Sequence, residues 1–536
     1  MDVGLEKQLR ALRAEEFGSG VQNKHAPLRM TLLYPSPYYV GMSSLGFLQI
    51  HRLANARPGT VCERAFLPEK AQVEIHRRTR TSLMCLESLR PVADSHLIGI
   101  SIAYELELAG LVTSLELCGL APLANERDVY DPLVILGGPL TFSNPLPAAP
   151  FADVVVLGEG EDKLNWLLDY LEDNPEAARG DRAARSLFLE ACAAQDGLLV
   201  PAIQGEFLPN VAKASSTSLP AVSEIYTPNT ELSSMALIEP ERGCHRGCTF
   251  CVMRRSTNGG MRLVAPEKVF ELIPDGVPKV GLVGAAVTDH PKIKEILHTL
   301  IVEKEKRIGI SSLRADRLDD EFVGLLAKGG YRSMTVAMDA PSERMMYMIE
   351  KNLKHHHLER AAELARAHKM KHLKLYTVAA LPDEQDEDIE ALIEFTLKLS
   401  KTIPIVLGVS PFVPKFHTPL ARAPFAGEKR AGAVVTRLRK RLGRQAQVRG
   451  PSAKEAYVEY RLAQGGFEHA QAAIAAAAAG GSLGAWKRAL ADLPERVDPK
   501  TANSIAPEPT ERRRWWKTRK SALNVIGDEA AISPSV

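Results

Sequence analysis

No stretch of this 536-residue chain approaches twenty strongly apolar residues. Its least polar runs are AGLVTSLELCGLAPLA, broken by Glu116, and the alanine-rich run 472–479, so no transmembrane helix is predicted. An excess of one charge is lacking too. Lys and Arg number 67 against 65 Asp and Glu, a formal net of +2, which gives no global field toward nucleic acid or an anionic membrane. The opening segment MDVGLEKQLRALRAEEFGSG has no apolar core of the secretory kind, and a cytoplasmic location is expected. There is no repeat of fixed period. Nor is there a disulfide framework: of seven cysteines, Cys62, Cys85, Cys118 and Cys192 stand isolated.

What is present is an average globular composition, 45% hydrophobic and 25% charged, on a chain long enough for two or three domains. After an N-terminal helical extension, 1–27, residues 28–197 alternate apolar strand-like runs (Leu28–Tyr34, Val61–Leu67, Leu97–Ala103, Leu133–Leu136, Asp153–Leu157) with helical segments. That pattern predicts a Rossmann-like α/β domain with a parallel sheet covered on both faces. Residues 198–234 read as a linker. From 235 to 424 six further strands are expected, at Met235–Glu239, Lys279–Val283, Arg307–Ser311, Ser333–Ala337, Lys374–Val378 and Pro404–Val409, with helices between. Six β/α units predict a partial (β/α)6 TIM barrel with its chemistry at the C-terminal strand ends. Residues 425–493 read as mostly helical and 494–536 as a polar tail.

The other three cysteines, Cys244, Cys248 and Cys251, fall within eight residues in ALIEPERGCHRGCTFCVMRR, directly after the first barrel strand. Thiolates are soft ligands suited to iron–sulfur clusters or zinc. Structural zinc needs four protein ligands. No second Cys pair exists and His245 is awkwardly spaced for the same ion. A four-iron cluster held by three cysteines leaves one iron open instead.

The C-x3-C-x2-C spacing, with the aromatic Phe250 before the third cysteine, resembles the signature of the radical S-adenosylmethionine (radical SAM) superfamily. The resemblance implies a 4Fe-4S cluster whose open iron chelates S-adenosylmethionine. One electron then cleaves the sulfonium, and the resulting 5′-deoxyadenosyl radical abstracts hydrogen from a substrate. It places Phe250 near the adenine. It gives the backbone of Gly284 and Ala285 the S-adenosylmethionine amino group, although the family's acidic residue is replaced by Ala286. After the third strand it points to Ser312 and Arg314 for the carboxylate or ribose; an Arg314 pair with Asp316 or Asp320 is the alternative. It implies a ribose contact for Asp339 after strand four, and an adenine contact for Ala380 and Leu381 after strand five. The run SPFVPKFHTPL, with GMSSLGF, AYVEYRLAQGGF and GAWKRAL, is similar to a subgroup with an N-terminal cobalamin-binding-like domain. The resemblance spans residues 28 to 490.

That subgroup brings cobalamin into consideration as a further cofactor, and methyl transfer to carbon with it. DSHLIG, 94–99, carries the letters of a corrinoid motif but leads into the third strand rather than following the first, and it is read as coincidence. Gly137, Gly138 and Gly158 either admit a nucleotide tail or make tight turns. A flavodoxin- or ferredoxin-like protein is the implied electron donor and the substrate is unknown. Two other readings are a methylthiotransferase acting on tRNA or protein, whose second cysteine trio is not evident here, and a non-catalytic metal or redox sensor. Lys354–His357 and the basic stretches near 440 and 511–520 read as solvated surface rather than as metal or RNA sites.

Overall fold

The computed structural model describes residues 2–21, 24–253, 260–311, 313–495 and 524–526. Two compact units emerge. One holds Met1–Ser234 together with the segment from Arg461 to residue 495, and the other holds Met235–Tyr460. None of the described helices is long and apolar enough to cross a membrane.

The first unit is built on six strands: β1 (Leu28–Tyr34), β2 (Thr60–Phe66), β3 (Leu97–Ser101), β4 (Leu133–Gly137), β5 (Val154–Val156) and β6 (Leu198–Leu199), in the order β2-β1-β3-β4-β5-β6. The first five are parallel and β6 is antiparallel. Almost every residue of β1, β3, β4 and β5 is buried, because helices on both faces leave no wet side. Arg64, fully buried in this core, is neutralised by Glu16 and Glu87. Helix Val3–Ala14 starts where the Asp2 carboxylate accepts from the amides of Gly4 and Leu5. The alanine-rich helix His469–Ala478 returns to pack on Leu108–Leu117 within this unit, since small side chains let the two backbones approach.

The second unit carries β7 (Met235–Ile238), a short antiparallel hairpin of β8 (Glu241–Gly243) and β9 (Met261–Val264), and then β10 (Lys279–Leu282), β11 (Arg307–Ile310), β12 (Met334–Ala337), β13 (Leu373–Ala379), β14 (Ile405–Pro411) and β15 (Ala446–Arg449). Apart from the hairpin these strands are parallel. They form the runs β7-β10-β11 and β12-β13-β14-β15, joined by the bridge Leu313–Val336. The result is an α/β barrel segment that does not close among the described residues. All six strands expected from the sequence are present. The seventh, β15, lies in the region expected to be helical. Helices Asp320–Lys328, His355–Ala367, Asp386–Ser400 and Gly427–Leu442 separate the strands. Three acidic residues in the first turn of Asp386–Ser400 suit the positive end of its dipole.

Candidate active site

The loop between β8 and β9 carries Cys244, Cys248 and Cys251, directly beyond the C-terminal end of β7, where barrels of this kind hold their chemistry. Several anchors fix it. Arg246 pairs with Asp289, its Nε and Nη2 lying 2.8 and 2.6 Å from the two carboxylate oxygens. Thr249 donates its amide to the Ile349 carbonyl at 3.0 Å and accepts from the Leu420 amide at 3.2 Å. The Cys251 amide closes a turn on the Cys248 carbonyl at 3.2 Å. His245 engages Met261 Sδ at 3.4 Å and approaches Asp289 at 3.9 Å.

Cys248 is buried, and Cys244 and Cys251 are half-buried. Burial pushes all three thiols up, Cys251 to about 12, while the Arg246 amide 3.4 Å from Cys244 Sγ works the other way. Thiols in such a setting stay protonated until a metal displaces the proton. Among the described residues no three His, Cys, Asp or Glu side chains close round a single ion. Three thiolates on one loop are soft ligands of the kind that hold iron–sulfur clusters.

The carboxylate beside this loop was not singled out from the sequence. Glu241 is fully buried. Its Oε1 accepts from the Ala286 amide at 2.7 Å, and its Oε2 is buried with no hydrogen-bond partner among the described residues. Burial pushes this carboxyl up to about 8. The approach explains Gly284, where a β carbon would lie 2.2 Å from Glu241 Oε1. Ser311 completes the turn: its hydroxyl donates to the Gly284 carbonyl at 2.8 Å and accepts from the Gly284 amide at 3.1 Å. Ser312 lies outside the described residues, as does the basic stretch 511–520.

Arg314 is buried and makes the Asp316 pair, at 3.0 Å. Asp339, in the left-handed region at φ 59°, is ion-paired with Lys351. The charges of Lys351, Asp339 and Arg314 all act on the Cys248 thiol, so the ends of β11 and β12 bring a charged row toward the cysteine loop. Lys351 was also missed, since it follows a short helix rather than a strand. Phe250 is half-buried, Ala285 exposed, and Ala380 and Leu381 buried. The Leu381 amide points at Glu384 Oε2, 3.4 Å away, and burial pushes the Glu384 carboxyl up to about 7. In Lys354–His357, His355 stacks on Phe395 at 3.9 Å between ring centroids, and His357 caps its helix through the Lys354 amide. Both roles are structural.

In the first unit the strand order 2-1-3-4-5 puts a topological switch point between β1 and β3, the usual ligand crevice of such sheets. Glu107 bridges that crevice, accepting from Ser36 Oγ at 3.0 Å and from the Ala103 amide at 2.6 Å. Gly138 and Gly158 lie against their own chain: a β carbon would meet the Ile102 carbonyl at 2.6 Å and the Ala212 carbonyl at 2.7 Å respectively. After β4, Asn144 donates to the carbonyls of Ala463 and Gly465 at 3.1 and 2.8 Å. His96 opens β3 at the opposite edge, its Nδ1 accepting from the Arg29 amide at 2.9 Å. None of these residues is assigned to cobalamin.

Residues 46–201 match a family model described as radical SAM proteins, N-terminal, and residues 238–396 match that of the radical SAM superfamily. An uncharacterized protein of Methanocaldococcus jannaschii is 26% identical over 402 residues, 73% of this chain and 78% of its own. A tRNA-2-methylthio-N(6)-dimethylallyladenosine synthase of Hydrogenobaculum sp. is 23% identical over 202 residues, 34% of this chain and 46% of its own. Among solved structures, the cobalamin-dependent S-adenosylmethionine radical enzyme OxsB with aqua-cobalamin and S-adenosylmethionine bound is similar at a TM-score of 0.46 and 14% identity, over 71% of this chain and 53% of that one. The chain thus spans about half the length of that enzyme.

Proposed function

Because this chain belongs to the radical S-adenosylmethionine superfamily and is an enzyme of that class, we propose that Cys244, Cys248 and Cys251 hold a 4Fe-4S cluster that binds S-adenosylmethionine. The observation that carries the reading is the cysteine loop itself, set beyond β7 and fixed by Asp289, Ile349 and Leu420. When bound, the cluster and S-adenosylmethionine supply reductive cleavage of a sulfonium and abstraction of hydrogen from the substrate.

The chain's own residues then bind, orient and exclude water. Glu241 Oε2, a buried carboxylate oxygen with no partner among the described residues, fits an ammonium group at the turn of Gly284–Ala286. It stands in for the acidic residue absent at Ala286. Ser311 holds that turn in shape. In this reading Asp339 and Lys351 receive the ribose or carboxylate, and Phe250 offers an apolar surface to the adenine. A flavodoxin- or ferredoxin-like protein delivers the electron.

Although a methylthio-transferring enzyme is among the relatives, Cys62, Cys85, Cys118 and Cys192 are each buried, and burial pushes all four thiols up. They read as core residues and not as a second cluster site. Anaerobic reconstitution with iron and sulfide, followed by dithionite and S-adenosylmethionine, tests the proposal. Cluster absorbance and 5′-deoxyadenosine are expected from the wild type, and both are lost in Cys248→Ala. An unchanged yield in that variant refutes it.

A further inference from the structure

Barrel interiors are normally packed with layers of Val, Ile and Leu. One half of this one is not. Along β13 the residues facing the helices (Leu373, Leu375, Thr377, Ala379) are buried, whereas the alternate ones are not, and Tyr376 is 42% exposed. The same alternation runs on through Ser410 on β14 and through Gln447 and Arg449 on β15, all exposed. The register places these side chains in rows. Lys374 pairs with Val406, which pairs in turn with Gln447, and Tyr376 pairs with Gly408, which pairs with Arg449.

The rows form a built surface. The Tyr376 ring lies across Gly408, where a β carbon would meet it at 2.6 Å. Lys374 Nζ stands 4.6 Å from the centroid of that ring. Arg449 follows on the far side of Gly408. The strand residues of this inner face include two cations and no carboxylate, and neither Lys374 nor Arg449 makes an ion pair among the described residues. Two unneutralised cations on one wet face attract an anion, and the guanidinium fork suits carboxylate or phosphate oxygens.

We infer that the inner face of β13–β15 seats the substrate, a small organic anion whose charged group meets Lys374 and Arg449 while its apolar body lies against Tyr376. The inference rests on the preceding reading, in which the barrel mouth holds the cofactor, and it adds the chemical class of the molecule attacked. Carboxylate and phosphate ester share this chemistry.

Equilibrium dialysis of the reconstituted enzyme against phenyl phosphate, benzoate, benzamide and benzylamine tests it. One or both anions are expected to be retained over benzamide and benzylamine, and the better anion tells phosphate from carboxylate. Lys374→Met and Arg449→Met each lower anion affinity about ten-fold or more and leave benzamide unchanged. Tyr376→Ala weakens every probe. Equal retention of all four probes, unchanged anion retention in the double Met variant, or unchanged retention in Tyr376→Ala overturns the inference. Circular dichroism and cluster absorbance of the variants report folding separately. A wild type that takes up no cluster would refute the cofactor reading, whereas the dialysis result bears on the anion seat alone.

Discussion

Asp289 grips Arg246 with both carboxylate oxygens, and so ties a side chain inside the cysteine loop to the turn that follows β10. Arg317 reaches the same carboxylate at 3.0 Å. Burial alone would push the Asp289 carboxyl up, but the Arg246 guanidinium more than offsets it and leaves the group below the usual carboxylate range. Asp289→Asn keeps the shape and removes the charge. Partners one step outside a metal's ligands cost on the order of ten- to a hundred-fold in affinity when lost. The variant should therefore surrender iron to a chelator faster by about that factor, with its far-ultraviolet circular dichroism intact. Equal rates of iron loss would show that the loop holds its shape without this anchor.

Glu241 gives a second prediction. If Oε2 receives the ammonium of S-adenosylmethionine, that charge drives off the proton that burial keeps on Glu241 up to about pH 8, and Glu241→Gln offers the ammonium only a neutral acceptor. Hydrogen bonds to charged groups contribute about 1.5–3 kcal/mol, so affinity should fall roughly ten-fold or more. Binding of 5′-methylthioadenosine, which has no amino acid moiety, should not change. Equilibrium dialysis of both ligands on the cluster-loaded variant makes the comparison. A parallel loss for the two ligands would assign Glu241 to the shape of the turn and not to the ammonium.

Parallel strands buried on both faces read as short apolar runs, as β1, β3 and β4 do, and β7 and β10 to β14 lie where strands were expected. The strand β9, four buried residues in the antiparallel hairpin, was not expected. The strand β15 was not legible. Its AQVR buries only Ala446 fully, and it follows a helix rich in Lys and Arg, so no apolar run marks it. The three cysteines stood out because their spacing is itself the chemistry. Glu241, Asp289 and Lys351 did not, since each acts through a partner distant in sequence: Ala286, Arg246 and Asp339. A three-residue strand such as β8 is too short for alternation to show which way Glu241 points. Arg314 was named from the sequence, and its pair with Asp316 is present, with Arg314 buried rather than on the surface.

Stability of the first unit should hinge on Arg64. It is fully buried, with its guanidinium 2.8 and 2.7 Å from the two oxygens of Glu16 and 2.7 Å from Glu87. Tyr38 also donates to Glu16, at 2.7 Å. Removing one member of a buried pair strands the other charge and costs about 3–5 kcal/mol. Glu16→Gln should lower the first urea transition accordingly, while Glu6→Gln, whose partner Arg10 is exposed, should shift it by under about 1 kcal/mol. Similar midpoints for the two variants would mean that the Arg64 network relaxes onto Glu87 alone.

The same core predicts an acid-sensitive step. His51 is buried, its Nε2 sits 3.0 Å from Asn55 Nδ2, and burial, reinforced by the positive charge of Arg64, pushes its pKa down to about 3 from an ordinary 6.5. A depressed base favours folding above its unfolded pKa and gives that stability up as pH falls, because only the unfolded chain takes the proton. The loss begins near 6.5 and continues toward 3, at about 1.4 kcal/mol per pH unit once the unfolded histidine is charged. Urea midpoints at neutral, mildly acidic and more acidic pH should therefore fall more steeply for the wild type than for His51→Gln, which keeps a polar group toward Asn55 but cannot titrate. The variant is expected to be less stable at neutral pH, where packing is lost, and to close the gap as pH drops. Parallel slopes would mean that the unfolded chain gains no proton at His51, and that the acid response belongs to the carboxylates alone.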